Sequence, residues 1–185
     1  MEIHNDNLEE NSMPDSISSL TKVADNVDLG PAGGLHLRFA AYQLAFSALA
    51  RNGAMQYTRK IQESQQEQRK VSEFLQTARE QQAKGKAQND GYEMDMPKAM
   101  LDYMNKEKLA YGTGTTSGNT YKFNHNKWDV PIQSLKDQLE KLGNGTQQLM
   151  VFLNDYMGQY NSHLDGANAA AQQGNQTLAA LLKMG

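Results

Sequence analysis

Residues 131–164 read PIQSLKDQLEKLGNGTQQLMVFLNDYMGQYNSHL. Within them Ile132, Leu135, Leu139, Leu142, Thr146, Leu149, Leu153, Tyr156 and Tyr160 follow one another in alternating steps of three and four. Steps of that kind keep returning to one side of an α-helix. Sustained over about four heptads, they describe the a and d seam of a coiled coil. One extra step of four reaches Leu164, after which the phase resumes through Ala167, Ala171, Gly174, Leu178 and Leu181. Such a slip locally unwinds a coiled coil. Gly143-Asn144-Gly145 interrupts the run, and two glycines in a helix interior cost about 2 kcal/mol relative to alanine. The apolar phase is nevertheless the same on both sides of them. The spacing therefore predicts one continuous helix over about 131–184, opened by Pro131.

Upstream of this segment the pattern changes. Tyr121, Phe123, Trp128 and Val130 suit a short strand or a cover over helices. Gly112–Asn119, of sequence GTGTTSGN, reads as a loop by composition. Proline fits a first helical turn, so Pro97–Lys108 reads as a short helix. Glu93 and Asp95 lie in a glycine-flanked linker and read as solvated charge.

A first long helix is expected from Leu35, just after the break at Gly30-Pro31-Ala32-Gly33-Gly34. Leu35, Phe39, Tyr42, Phe46 and Leu49 share one face, with alanines filling much of the rest. From residue 51 to 90 the chain turns polar, and Met55, Ile61, Val71, Leu75 and Ala78 are its sparse apolar positions. A continuous helix over 35–84 would be about 75 Å long.

Composition limits what such a chain can be. Apolar residues are 38% of the 185 and aromatics 8%. Ordinary domains carry roughly 45–50% apolar residues. Long helices with narrow stripes need fewer apolar residues than a thick core does. The net charge of −3 makes no case for nucleic acid or an anionic membrane. Residues 1–30 hold seven acids and one lysine, an acidic start on a mildly basic body. Their lack of periodicity predicts disorder. No apolar run approaches the roughly 20 residues of a membrane span, and no Sec-type signal is visible. The absence of cysteine excludes disulfides and thiolate metal sites.

Catalytic chemistry is hard to find. His4, His36, His125 and His163 are widely scattered, without metal-ligand spacing or a nucleophile beside them. Gly112–Gly118 lacks the glycine and lysine pattern of a phosphate loop. The methionines cluster at Met94, Met96, Met100 and Met104, which suits core filling better than an adaptable binding face. No enzyme activity and no cofactor are expected.

Two stretches carry a resemblance. Met96-Pro97-Lys98-Ala99-Met100-Leu101-Asp102-Tyr103-Met104 resembles the Pro-Tyr element in the filament and needle-tip proteins of type III secretion systems, the EspA and SseB group. Leu135–Leu139 through Asn144–Met150 is similar to the opening of the last helix of those proteins. The order of segments over roughly 35–185 is similar too. Trp128 beside Pro131, the glycine-rich tail and the segment Gly112–Asn126 depart from the pattern. The resemblance implies export through a type III apparatus and self-assembly on its needle. It also implies contact with needle and translocator proteins, and a dedicated secretion chaperone that masks the coiled coil.

The combined expectation is a mainly α fold: a long antiparallel helical hairpin, or coiled coil, with a small irregular insert at about 91–130. Residues 1–34 form an export segment and 35–185 the hairpin domain. The chain is read as a secreted, cell-surface filament or tip subunit, a homopolymer with no nucleic-acid partner and no stable membrane insertion. An intracellular coiled-coil chaperone or adaptor is the alternative. The expected assembly and chaperone interface is Leu135, Leu139, Leu142, Leu149, Leu153, Tyr156, Tyr160, Leu164, Leu178 and Leu181. The reason is that the second half of helix one offers few residues to cover them.

Overall fold

A computed structural model describes residues 30–88, 91–117 and 120–184. Two long helices, α1 (Gly30–Lys86) and α3 (Asp129–Met184), form an antiparallel helical hairpin. Between them lie β1 (Glu93–Met96), the short helix α2 (Lys98–Lys106), β2 (Thr115–Ser117), β3 (Thr120–Asn124) and a 3-10 turn at His125–Trp128. The three strands make one antiparallel sheet in the order β1-β3-β2. The chain divides into two compact units, Met1–Thr58 with Val151–Gly185 (unit 1) and Arg59–Met150 (unit 2).

Several expectations are corrected. Helix α1 begins at Gly30, so the glycine-rich stretch read as a break belongs to its first turns. Pro31 has the fixed φ that a first helical turn wants and lacks only an N–H that would have had no partner there. The reading of residues 1–29 as disordered falls outside the described residues. Glu93 and Asp95 belong to β1 rather than to a linker, because Met94 pairs with Phe123 and Met96 with Tyr121 across the sheet. Part of the segment read as a loop is likewise strand, where Thr115 and Thr116 pair with Lys122 and Tyr121. β-branched threonine suits such a surface. Helix α3 runs unbroken through Gly143-Asn144-Gly145, and it starts at Asp129, two residues before Pro131. The Asn124 side chain helps end β3 there, accepting the Lys127 backbone N–H at 3.2 Å.

Unit 2 holds a true core. Val71, Leu75 and Ala78 of α1 meet Met100, Tyr103 and Met104 of the insert, with Phe123, Trp128, Ile132 and Leu135. Edge-on aromatic pairs run from Tyr111 to Tyr121, from Tyr121 to Phe123 and from Phe123 to Trp128 at 5.2–5.5 Å between centroids. Each such pair adds about 0.5–1.5 kcal/mol beyond burial. Tyr103 ties the insert to both long helices. Its hydroxyl donates to Glu67 Oε1 at 3.0 Å and accepts from Gln138 Nε2 at 3.5 Å. Burial, with the Glu67 carboxylate beside it, pushes its pKa from 10.0 up to about 12.

Beyond that core, unit 2 narrows to a polar layer. Gln68 Nε2 donates to the Leu142 carbonyl at 3.1 Å and to Thr146 Oγ1 at 2.7 Å. Thr146 also donates to that carbonyl at 2.8 Å and shares a 2.7 Å bond with Ser64. Thr146 occupies a seam position of the heptad pattern, and these partners satisfy its buried hydroxyl.

Unit 1 is built differently. Its antiparallel pairing sets His36 and Leu37 against Gly174, Gln43 against Gly166, and Gly53 against Tyr156. The residues buried along it are Gly34, Ala40, Ser47, Ala50, Gly53 and Ala54 on α1, and Ala167, Ala170 and Gly174 on α3. A Cβ at Gly53 would collide with the Tyr156 ring, so glycine lets that ring pack directly on the α1 backbone.

Candidate assembly surface

The heptad phase of α1 explains where its side chains go. In unit 1 the inward positions are His36, Ala40, Gln43, Ser47, Ala50, Ala54 and Tyr57, in strict steps of four and three. All of them are buried or half-buried. The stripe chosen from sequence, Leu35, Phe39, Tyr42, Phe46 and Leu49, sits one residue earlier, on the flank of this seam. Leu35 is 76% exposed, Phe39 51% and Phe46 41%. Size misled the sequence reading: the large residues mark the flank, and the small ones mark the contact between the two helices.

The same displacement occurs on α3. From Tyr160 the true seam continues through His163, Ala167, Ala170 and Gly174, keeping the three-and-four alternation. His163 Nδ1 lies 2.7 Å from Gln43 Oε1, and its ring stacks on Phe46 at 5.5 Å. The expected four-residue slip therefore does not occur at the helix interface. Following Leu164 instead of His163 moved the reading onto a second stripe that contains Leu164, Ala171 and Leu178.

The ten residues expected to form one interface consequently divide. Leu135 is wholly buried in the core of unit 2, and Leu139 and Leu142 are partly buried against it. These three serve the chain's own fold. What covers them is not helix one alone but Met100, Met104 and Trp128 of the insert, which lie far from these leucines in sequence. Leu149 in unit 2 is half-buried. So are Leu153, Tyr156, Tyr160 and Leu164 in unit 1. Tyr156 packs on Gly53 and stands 5.5 Å from the Tyr57 ring. Leu178 and Leu181 are exposed.

Residues outside that set dominate the exposed apolar surface. Among the described residues, every exposed large apolar side chain except Tyr92, Val130 and Met150 belongs to unit 1. On α1 these are Leu35, Phe39, Leu44, Phe46 and Met55. On α3 they are Val151, Phe152, Met157, Leu178, Leu181, Leu182 and Met184. Charge is scarce beside them. Residues 30–50 contain Arg38 as their one Lys, Arg, Asp or Glu, and residues 166–182 contain none. Interface cores are depleted of charge in the same way.

Other chemistry is not assembled. Among the described residues no group of three or more His, Asp or Glu side chains could hold a metal ion. Nor, among the described residues, is any helix long and apolar enough to cross a membrane. The polar depressions on unit 2 are shallow; one is lined by Glu63, Glu67, Lys70, Tyr103 and Lys106, with the Lys70 ammonium 5.4 Å from the Tyr103 ring centre. No protein-family model, curated protein or solved structure matches the chain.

Proposed function

We propose that this chain is a self-assembling subunit of an extracellular filament or needle tip of a bacterial type III secretion system, without enzymatic activity of its own. The observation that carries the assembly half of this reading is the concentration of exposed large apolar residues on unit 1. Exposed apolar residues concentrated on one part of a chain mark an interaction surface. A surface that meets a different surface on the next copy generates an open-ended polymer. The secretion half rests on the resemblance carried by Met96–Met104 and Leu135–Met150. Before export a dedicated chaperone covers the apolar surface, and after export neighbouring subunits, with needle and translocator proteins, cover it.

Two experiments test the two halves separately. Purified chain, freed of any partner, is examined by sedimentation and electron microscopy across a concentration series. Extended assemblies are expected, and a defined small oligomer indicates an adaptor instead. Deletion of residues 1–30 should abolish appearance in the culture supernatant of a type III-competent bacterium while circular dichroism stays unchanged. Undiminished secretion removes the export reading.

A further inference from the structure

Within α3, Lys141-Leu142-Gly143-Asn144-Gly145-Thr146-Gln147 carries the local signals for ending one helix and starting another. Lys141 suits the last turn of a first helix. Gly143 stands just past Leu142, where the left-handed conformation of a helix end favours glycine. Asn144 is a preferred N-cap. Gln147, three residues on, completes a capping box just ahead of Leu149-Met150-Val151-Phe152-Leu153. Yet α3 runs unbroken through these signals. Packing in that form does not call for the glycines. A Cβ at Gly143 or Gly145 meets nothing within 4 Å, whereas one at Gly53 strikes the Tyr156 ring.

What holds the helix closed lies beside it on α1. Gln68 Nε2 donates to the Leu142 carbonyl at 3.1 Å and to Thr146 Oγ1 at 2.7 Å, so one side-chain amide grips α3 on both sides of the glycine pair. Thr146 Oγ1 donates back across the pair to the same carbonyl at 2.8 Å and shares its 2.7 Å bond with Ser64. We propose that residues 143–145 are a built-in hinge of α3, and that Gln68, with Ser64 and Thr146, is the clasp that keeps it shut. The clasp is made of hydrogen bonds, which exchange for bonds to water at small net cost, so the open form stays within reach. In the open form Gly143 ends the first helix and Asn144 caps the second. Gln68 still serves the Leu142 carbonyl, which a helix end would otherwise leave without a partner. Sharp bends in long helices concentrate at glycine and where a side chain enters the backbone ladder, and both conditions meet here. The hinge lies beyond Ile132 and Leu135, so bending leaves those core residues in place.

Spin labels test this in the full chain. The chain has no cysteine, and Lys136 and Met150 are both exposed on α3 in unit 2. Lys136→Cys with Met150→Cys sets two labelled positions about 21 Å apart along an unbroken helix. Adding Gln68→Ala should raise the population of a second, shorter distance on the order of fivefold, the effect of losing one hydrogen bond. Thr146→Val, which cuts the clasp from the α3 side and keeps the side-chain shape, should act in the same direction. Should Gln68→Ala lose its helical circular dichroism, Thr146→Val carries the comparison. Gly143→Ala with Gly145→Ala should remove the shorter distance from both clasp variants. A single distance in Gln68→Ala and Thr146→Val alike, or a shorter one that persists when both glycines are alanine, overturns the hinge.

Discussion

Gly143 and Gly145 lie in the middle of a 56-residue helix, and an added Cβ at either would meet nothing within 4 Å. Alanine at both should therefore raise the stability of unit 2 by about 1–2 kcal/mol through helix propensity alone. A denaturant midpoint that rises accordingly checks this. Gly53→Ala should act in the opposite direction, because its methyl would collide with the Tyr156 ring. Tyr103 supplies a pH dependence. Its native pKa of about 12 lies above its ordinary 10.0, so the folded state favours the protonated phenol. The resulting stability is complete below pH 10 and is lost as the pH rises from 10 towards 12. Denaturant titrations at pH 9 and pH 11 should show a larger loss for wild type than for Tyr103→Phe. An equal loss in both removes Tyr103 as its source.

At the scale of elements, much was legible in the sequence and the errors were systematic. The long final helix was readable because Leu135, Leu139, Leu142 and Leu149 hold one phase across the glycines. The short helix was readable from Pro97. The sheet was hidden because β1 is only four residues long: Glu93-Met94-Asp95-Met96 alternates polar and apolar, but too briefly to tell a strand from a linker. It exists through its pairing with β3, a contact no local window contains. The seam of unit 1 was misplaced for a physical reason. Hydrophobic size is a sound guide to burial in a thick core, but two helices in close contact admit alanine, serine and glycine and leave Phe39 and Phe46 outside. Ala40, Ser47 and Ala54, seven residues apart, were the available signal. The polar layer gives an element-scale prediction. Gln68→Ala leaves the buried Thr146 hydroxyl with Ser64 and the Leu142 carbonyl, so it should cost about 1–2 kcal/mol in the unfolding of unit 2.

For the whole molecule, the two units have opposite characters. Unit 2 spends its large residues inward, on Trp128, Phe123 and the methionines, and this predicts an autonomous cooperative fold. Unit 1 fully buries only small residues and leaves many of its large ones exposed. Stability of that kind is expected to be uneven, with low opening free energies wherever few apolar contacts hold the backbone. The most direct test is amide hydrogen exchange on the full chain, first dilute and monomeric, then assembled. The account predicts that amides of 71–78 and 132–142 are strongly protected in both states. Amides of 35–58 and 151–182 should exchange quickly in the monomer and gain at least tenfold protection on assembly. Protection of unit 1 that is already complete in the monomer, or unchanged on assembly, would contradict it.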